Sequence, residues 1–185
     1  MGAPNFSNAL SNIEMLREAC HPYANPIDTL RCRLDEHWPA GCHLQTLYGR
    51  KMFVGLSRCM RPGTPLLPHH DMFARHAPGA PESKSLISQF GINVYVDVPA
   101  QGGELAMWTK EVSDVEFLQL RGDNYAIPMD RLDEPDFKVK PQSGDLILFN
   151  ARKLHAVLPG TGSNRLTLSA FVGYRGSSQP LTVWS

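Results

Sequence analysis

Two hydrophobic periods divide this chain near Gly41. Before it, apolar residues recur at helical spacing. Ile27, Leu30, Leu34 and Trp38 form one stripe, with Asn25-Pro26 placed as an N-cap and first-turn proline. Upstream, Ser11 and Glu14 have capping-box spacing and predict the start of an earlier helix, which Pro22 ends. Pro39 ends the second. Both helices are expected to pack against the back of a sheet.

After Gly41 the period shortens to alternation, in short runs broken by Gly, Pro, Asn and Asp. Strands are expected at 43–48, 52–60, 87–98, 104–108, 137–139, 145–150, 154–158 and 165–172. Many short strands with frequent turns predict a mainly β sandwich or barrel with flanking N-terminal helices. At 185 residues the chain reads as one domain, 1–185, with helices over 1–40 and the β core over 41–185. The stretch 109–134 is long, charged and weakly periodic, and it reads as a lid over a site.

Composition narrows the function classes. Hydrophobic residues make up 42% and charged residues 19%, as in an ordinary globular protein. Lysine plus arginine equals aspartate plus glutamate, 18 against 18, so net charge gives no reason to expect nucleic acid or an acidic substrate. No apolar run is long enough to span a bilayer, so no membrane partner is expected. The first residues lack the charged and apolar regions of a signal peptide, and a soluble cytoplasmic protein is expected. Cys20, Cys32, Cys42 and Cys59 show no C-x-x-C spacing and read as scattered thiols in a reducing compartment, ahead of a zinc site or disulfide framework.

The candidate chemistry is ordered along the β region. His69 and Asp71, two apart, share a face of an extended strand, while His70 points away. His155 follows the apolar run Gly144–Asn150, and Arg165 follows His155 by ten residues. Two imidazoles and one carboxylate can hold one face of an Fe(II) ion and leave its other positions open. Arg165 and Thr167 share a strand face. A guanidinium pointing into an apolar barrel is costly unless it meets an anion, and its planar fork suits a carboxylate. Arg58, Arg75 and Arg152 flank the site and are read as solvated charges ahead of substrate contacts. Trp108 and Phe171 are read as packing, and His21, His37, His43 and His76 as surface or satisfied histidines.

Taken in order, His69-x-Asp71, Gly144–Phe149, His155 and Arg165-x-Thr167 resemble the Fe(II)- and 2-oxoglutarate-dependent dioxygenases, most closely their prolyl 4-hydroxylase-like branch. The resemblance covers roughly 51–174 and implies a double-stranded β-helix, or jelly roll. It implies iron bound by His69, Asp71 and His155, and the far carboxylate of 2-oxoglutarate bound by Arg165 with Thr167. It also offers Tyr95 as a hydroxyl donor to that carboxylate, with Asn93 on the same face. Fe(II), 2-oxoglutarate and dioxygen are the implied reactants, with ascorbate as a stimulant. The implied outcome is hydroxylation of a small molecule, such as an amino acid or biosynthetic intermediate, with release of succinate and carbon dioxide. Asp71 occupies the position that related halogenases leave open for chloride. A peptidyl hydroxylase and a non-catalytic metal-binding jelly-roll module are the alternatives.

Overall fold

The computed structural model describes residues 8–185. The first seven, which carry part of the N-terminal signal reading, lie outside the described residues. Helices α1 (Ala9–Cys20) and α2 (Pro26–His37) open the chain. The Asn25 side chain accepts from the Ile27 amide at 2.9 Å, so the expected cap and first-turn proline of α2 are present. The capping box of α1 is not. Its N-cap is Asn8, with no side-chain cap, and Ser11 lies inside the helix and donates back to the Asn8 carbonyl. Helix formation one turn early turned an expected cap into a first-turn residue.

The β core comprises β1 (Cys42–Leu44), the two-residue pair β2 (Thr46–Leu47) and β3 (Arg50–Lys51), β4 (Leu56–Met60) and β5 (Leu66–His69). Short helices α3 (Phe73–His76) and α4 (Pro81–Lys84) follow, then β6 (Ser88–Asp97), β7 (Gln101–Gly102), β8 (Leu105–Met107), α5 (Asp114–Arg121) and β9 (Phe137–Val139). The chain closes with β10 (Leu146–Asn150), β11 (His155–Val157), β12 (Gly160–Thr161), β13 (Arg165–Tyr174) and β14 (Leu181–Trp184).

The larger sheet runs β1-β14-β13-β6-β10, with β4 pairing the first half of β13. The smaller runs β5-β11-β8-β9. This is the mainly β architecture that the alternation predicts, in the jelly-roll form that the resemblance implies. On the outer face of the large sheet, Ile92, Val94, Leu168, Ala170 and Val172 pack with Ile13 and Ile27 of the helices into the main core. Leu30, Leu34 and Trp38 complete that stripe. The helices therefore back the sheet and leave its inner face to the site.

Several expected strands change. The run 52–60 is strand only from Leu56, because Gly55 turns at φ +101° and a Cβ there would lie 2.6 Å from Leu16. β5 was not expected across Pro65 and Pro68, but it is an edge strand, where proline is tolerated. β14 was also missed, and it pairs with both β1 and β13. The stretch 109–134 holds the helix α5 and a short 3-10 turn at Met129–Arg131. Ser113 caps α5 by accepting from the Glu116 amide, and Val112, Phe117 and Ile127 bury against Trp108, Leu154 and Ala156. Among the described residues no helix is long and apolar enough to cross a membrane.

Candidate active site

His69 ends β5 and pairs directly with His155 of β11. The two rings lie with centroids 4.3 Å apart. Asp71 sits just past the end of β5, where its amide donates to the Ala151 carbonyl at 2.8 Å. Asp71 thus lies two residues beyond the last strand residue, and this bond to the loop before β11 holds it beside His69. Asp71 Oδ2 is 3.8 Å from His69 Nε2 and 3.3 Å from His155 Nε2, and donor atoms of all three residues lie within 4.8 Å of one another.

The far side of each ring is already engaged. His69 Nδ1 lies 2.8 Å from the Leu67 carbonyl, and His155 Nδ1 lies 3.0 Å from that of Lys153. A carbonyl only accepts, so each Nδ1 donates there and each Nε2 is left turned toward Asp71. Burial first, and then the neighbouring His155, lower the His69 pKa to about 4, so this imidazole is neutral at neutral pH. His69 Nε2, His155 Nε2 and the Asp71 carboxylate then converge, a donor set that suits a cation. His70 does point away. It is buried, stacked on Phe117 and in contact with Arg75.

Phe149 braces this cluster, its ring 4.8 Å from that of His155. It can do so because Gly91, its strand partner, has no side chain: a Cβ there would lie 2.5 Å from the Phe149 ring.

The large sheet faces the cluster across a cavity of about 460 Å³. Thr167 is flanked in register by Tyr95 on β6 and Arg58 on β4. Among the described residues, Arg165 Nε and Nη2, Tyr95 Oη and Thr167 Oγ1 are buried without a hydrogen-bond partner. The guanidinium lies 5.0 Å above the Tyr95 ring, and burial lowers its pKa although Tyr95 partly opposes this. Buried donors left unpaired this way are expensive. Four such atoms gathered at one place suit a carboxylate, which accepts about four hydrogen bonds.

Other residues differ from their sequence readings. His76 is exposed, as expected, and also lines the cavity, as do Arg58 and Arg75. Arg75 is held by Asp114 of α5 and lies 4.7 Å over Phe117. Arg152 is absent from the cavity wall and donates to the Ile87 carbonyl. Trp108 is packing, as expected, whereas Phe171 both packs on Trp184 and reaches the cavity. Leu47, Met52, Phe73, Tyr125 and Trp184 also line it and were not anticipated. For Trp184 the alternation in Leu181–Trp184 was an available signal.

Comparison with known proteins agrees with this geometry. A family model described as the 2OG-Fe(II) oxygenase superfamily matches residues 54–173. The chain is 29% identical over 162 residues to an L-gamma-glutamyl-L-propargylglycine hydroxylase of Streptantibioticus cattleyicolor, covering 87% of this chain and 59% of that protein's length. In fold it is similar to an N-substituted L-amino acid dioxygenase from Burkholderia ambifaria in complex with alpha-KG. That likeness has a TM-score of 0.64 at 19% identity, over 97% of this chain and 68% of the other. A second structure of such a dioxygenase from the same organism gives 0.56 at 23% identity, over 77% of this chain and 57% of that one. The model spans most of the β core and carries with it both polar ends of the cavity, and so the chain belongs to the 2OG-Fe(II) oxygenase superfamily.

Proposed function

We propose that this chain is a non-haem Fe(II)- and 2-oxoglutarate-dependent oxygenase that hydroxylates a C–H bond of a small amino-acid-derived molecule. The observation that carries this reading is the pairing of two complementary ends in one cavity. Lone pairs of His69, Asp71 and His155 face unpartnered donors of Arg165, Tyr95 and Thr167. In this reading the first three hold iron and the second three hold the far carboxylate of 2-oxoglutarate. The tyrosine in that set is the feature shared with the prolyl 4-hydroxylase-like branch.

When bound together with dioxygen, the two groups supply the oxidant that removes hydrogen from the substrate, with succinate and carbon dioxide released. The protein's own residues do the rest. The carbonyls of Leu67 and Lys153 fix the orientation of the two imidazoles, and Arg165 fixes the cosubstrate's length axis. Leu105, Phe149 and Val157 line the cavity beside the cluster and keep water from the reacting carbon. Asp71 fills a coordination position and adds negative charge, which favours hydroxylation over halogenation.

The substrate class follows the curated relative, whose name describes a γ-glutamyl derivative of an amino acid. Four unpaired cysteines fit a reducing compartment, the cytoplasm. The test is an anaerobic titration of the protein with Fe(II) and 2-oxoglutarate, watched for the weak visible charge-transfer band, followed by measurement of succinate release. A band that is absent in His155→Ala supports the reading. No band in the unmodified protein at saturating ligand overturns it.

A further inference from the structure

Charge bookkeeping inside the cavity leaves one cation over. Its wall carries three arginines, Arg58, Arg75 and Arg165, against Asp71 as the one lining side-chain carboxylate among the described residues. Arg75 is already neutralised by Asp114 and stacked on Phe117. Arg165, with Tyr95 and Thr167, offers four unpaired donor atoms, enough to saturate a single carboxylate. Arg58 remains.

Three observations place it. It lies beside Thr167 in the ladder and therefore on the cavity face of the sheet, in a row with Tyr95. It lines the same cavity as His69 and Asp71 at one end and Arg165 at the other. It is only half-buried, whereas Arg165 is 4% exposed, so it stands nearer the mouth and is reached by a ligand entering after the cosubstrate. One row further along, Ser169 donates to Asn93 Oδ1 at 2.7 Å, and both residues line the same wall. That pair offers an amide partner next to the cation.

We infer that Arg58 receives a free carboxylate of the substrate, holding it beside the metal cluster with Asn93 and Ser169 alongside. The ligand class is an N-acylated or γ-glutamyl amino acid bearing a free α-carboxylate. This rests on the oxygenase reading above and deepens it. A half-buried guanidinium facing a metal cluster repels that metal unless an anion lies between them, and a substrate carboxylate supplies it.

The experiment uses the full chain loaded with Zn(II) and 2-oxoglutarate, which binds without turnover. Thermal shift and calorimetry are run against γ-glutamyl- and N-acetyl-L-amino acids, each as free acid and as C-terminal amide. The wild type should bind at least one free acid roughly tenfold or more tighter than its amide, the size of a charge-assisted hydrogen bond. Arg58→Gln should erase that preference while leaving the 2-oxoglutarate affinity within about twofold, and Arg58→Lys should restore part of it. If Arg58→Gln weakens 2-oxoglutarate binding as Arg165→Ala does, the residue serves the cosubstrate and the inference falls. It falls equally if the acid preference survives in Arg58→Gln, or if no panel member binds while 2-oxoglutarate does. Failure of 2-oxoglutarate itself to bind would instead overturn the oxygenase reading.

Discussion

The two polar ends of the cavity are built on opposite principles. At the histidine end every ring is tied on its far side to a backbone carbonyl, and the geometry is held before any ligand arrives. At the arginine end, buried donors have no partner within the described residues. One end is preorganised by the fold. The other is completed by what it binds. The difference teaches where stability and affinity should come apart: substitution at the first end should damage metal binding, whereas substitution at the second should damage anion binding and relieve the ligand-free protein of a buried charge.

The largest expected effect tests the preorganised end. Asp71→Ala should reduce Zn(II) affinity by more than the roughly 10–100-fold that follows loss of a ligand's outer partner. Equilibrium dialysis against a chelator measures this, and near-native affinity would remove Asp71 from the site. At the other end, Arg165→Met should weaken 2-oxoglutarate binding by about 2–5 kcal/mol, with metal affinity nearly intact. The sharper part concerns the ligand-free protein, whose melting temperature should hold or rise in Arg165→Met. A marked fall would show that the guanidinium supports the fold by itself.

Tyr95→Phe removes one hydroxyl from the same cradle. It should cost about 1.5–3 kcal/mol of 2-oxoglutarate affinity, as for a hydrogen bond to a charged group. An unchanged dissociation constant would leave Tyr95 as packing only. The smallest effect serves as the control. Asn25→Ala should lower unfolding free energy by about 1 kcal/mol through loss of the α2 cap and leave both ligand affinities alone. A shift in either affinity would mean that the helices behind the large sheet help set the site.

Much of the histidine end was legible in the sequence because its residues are close in the chain or follow a strong apolar run. His69, Asp71 and His155 could be placed by spacing, although the period-two argument misplaced Asp71 on a strand that ends at His69. Arg165 and Thr167 were legible because polar and apolar residues alternate in sequence over Arg165–Ala170. The rest of the wall was not. Leu47, Phe73, Tyr125 and Trp184 come from four separate segments, and no local pattern states which of them meet. The helix and buried side chains within 109–134 were hidden for a related reason. Val112, Phe117 and Ile127 bury against strands elsewhere, so their spacing follows neither a helical nor a strand period along the whole segment.

Gly91 shows how a position with no chemistry can set the limits of redesign. The Phe149 ring fills the space where a side chain at 91 would go, and that ring touches His155. Any larger residue at 91 would be transmitted through a rigid aromatic plate to the His155 imidazole, two strands away from the substitution. A library built to change what this cavity accepts can vary Tyr125, which is exposed and lines the wall without bracing the cluster, whereas Leu47 and Met52 line it from a buried core. Position 91 belongs with the invariant part of such a library.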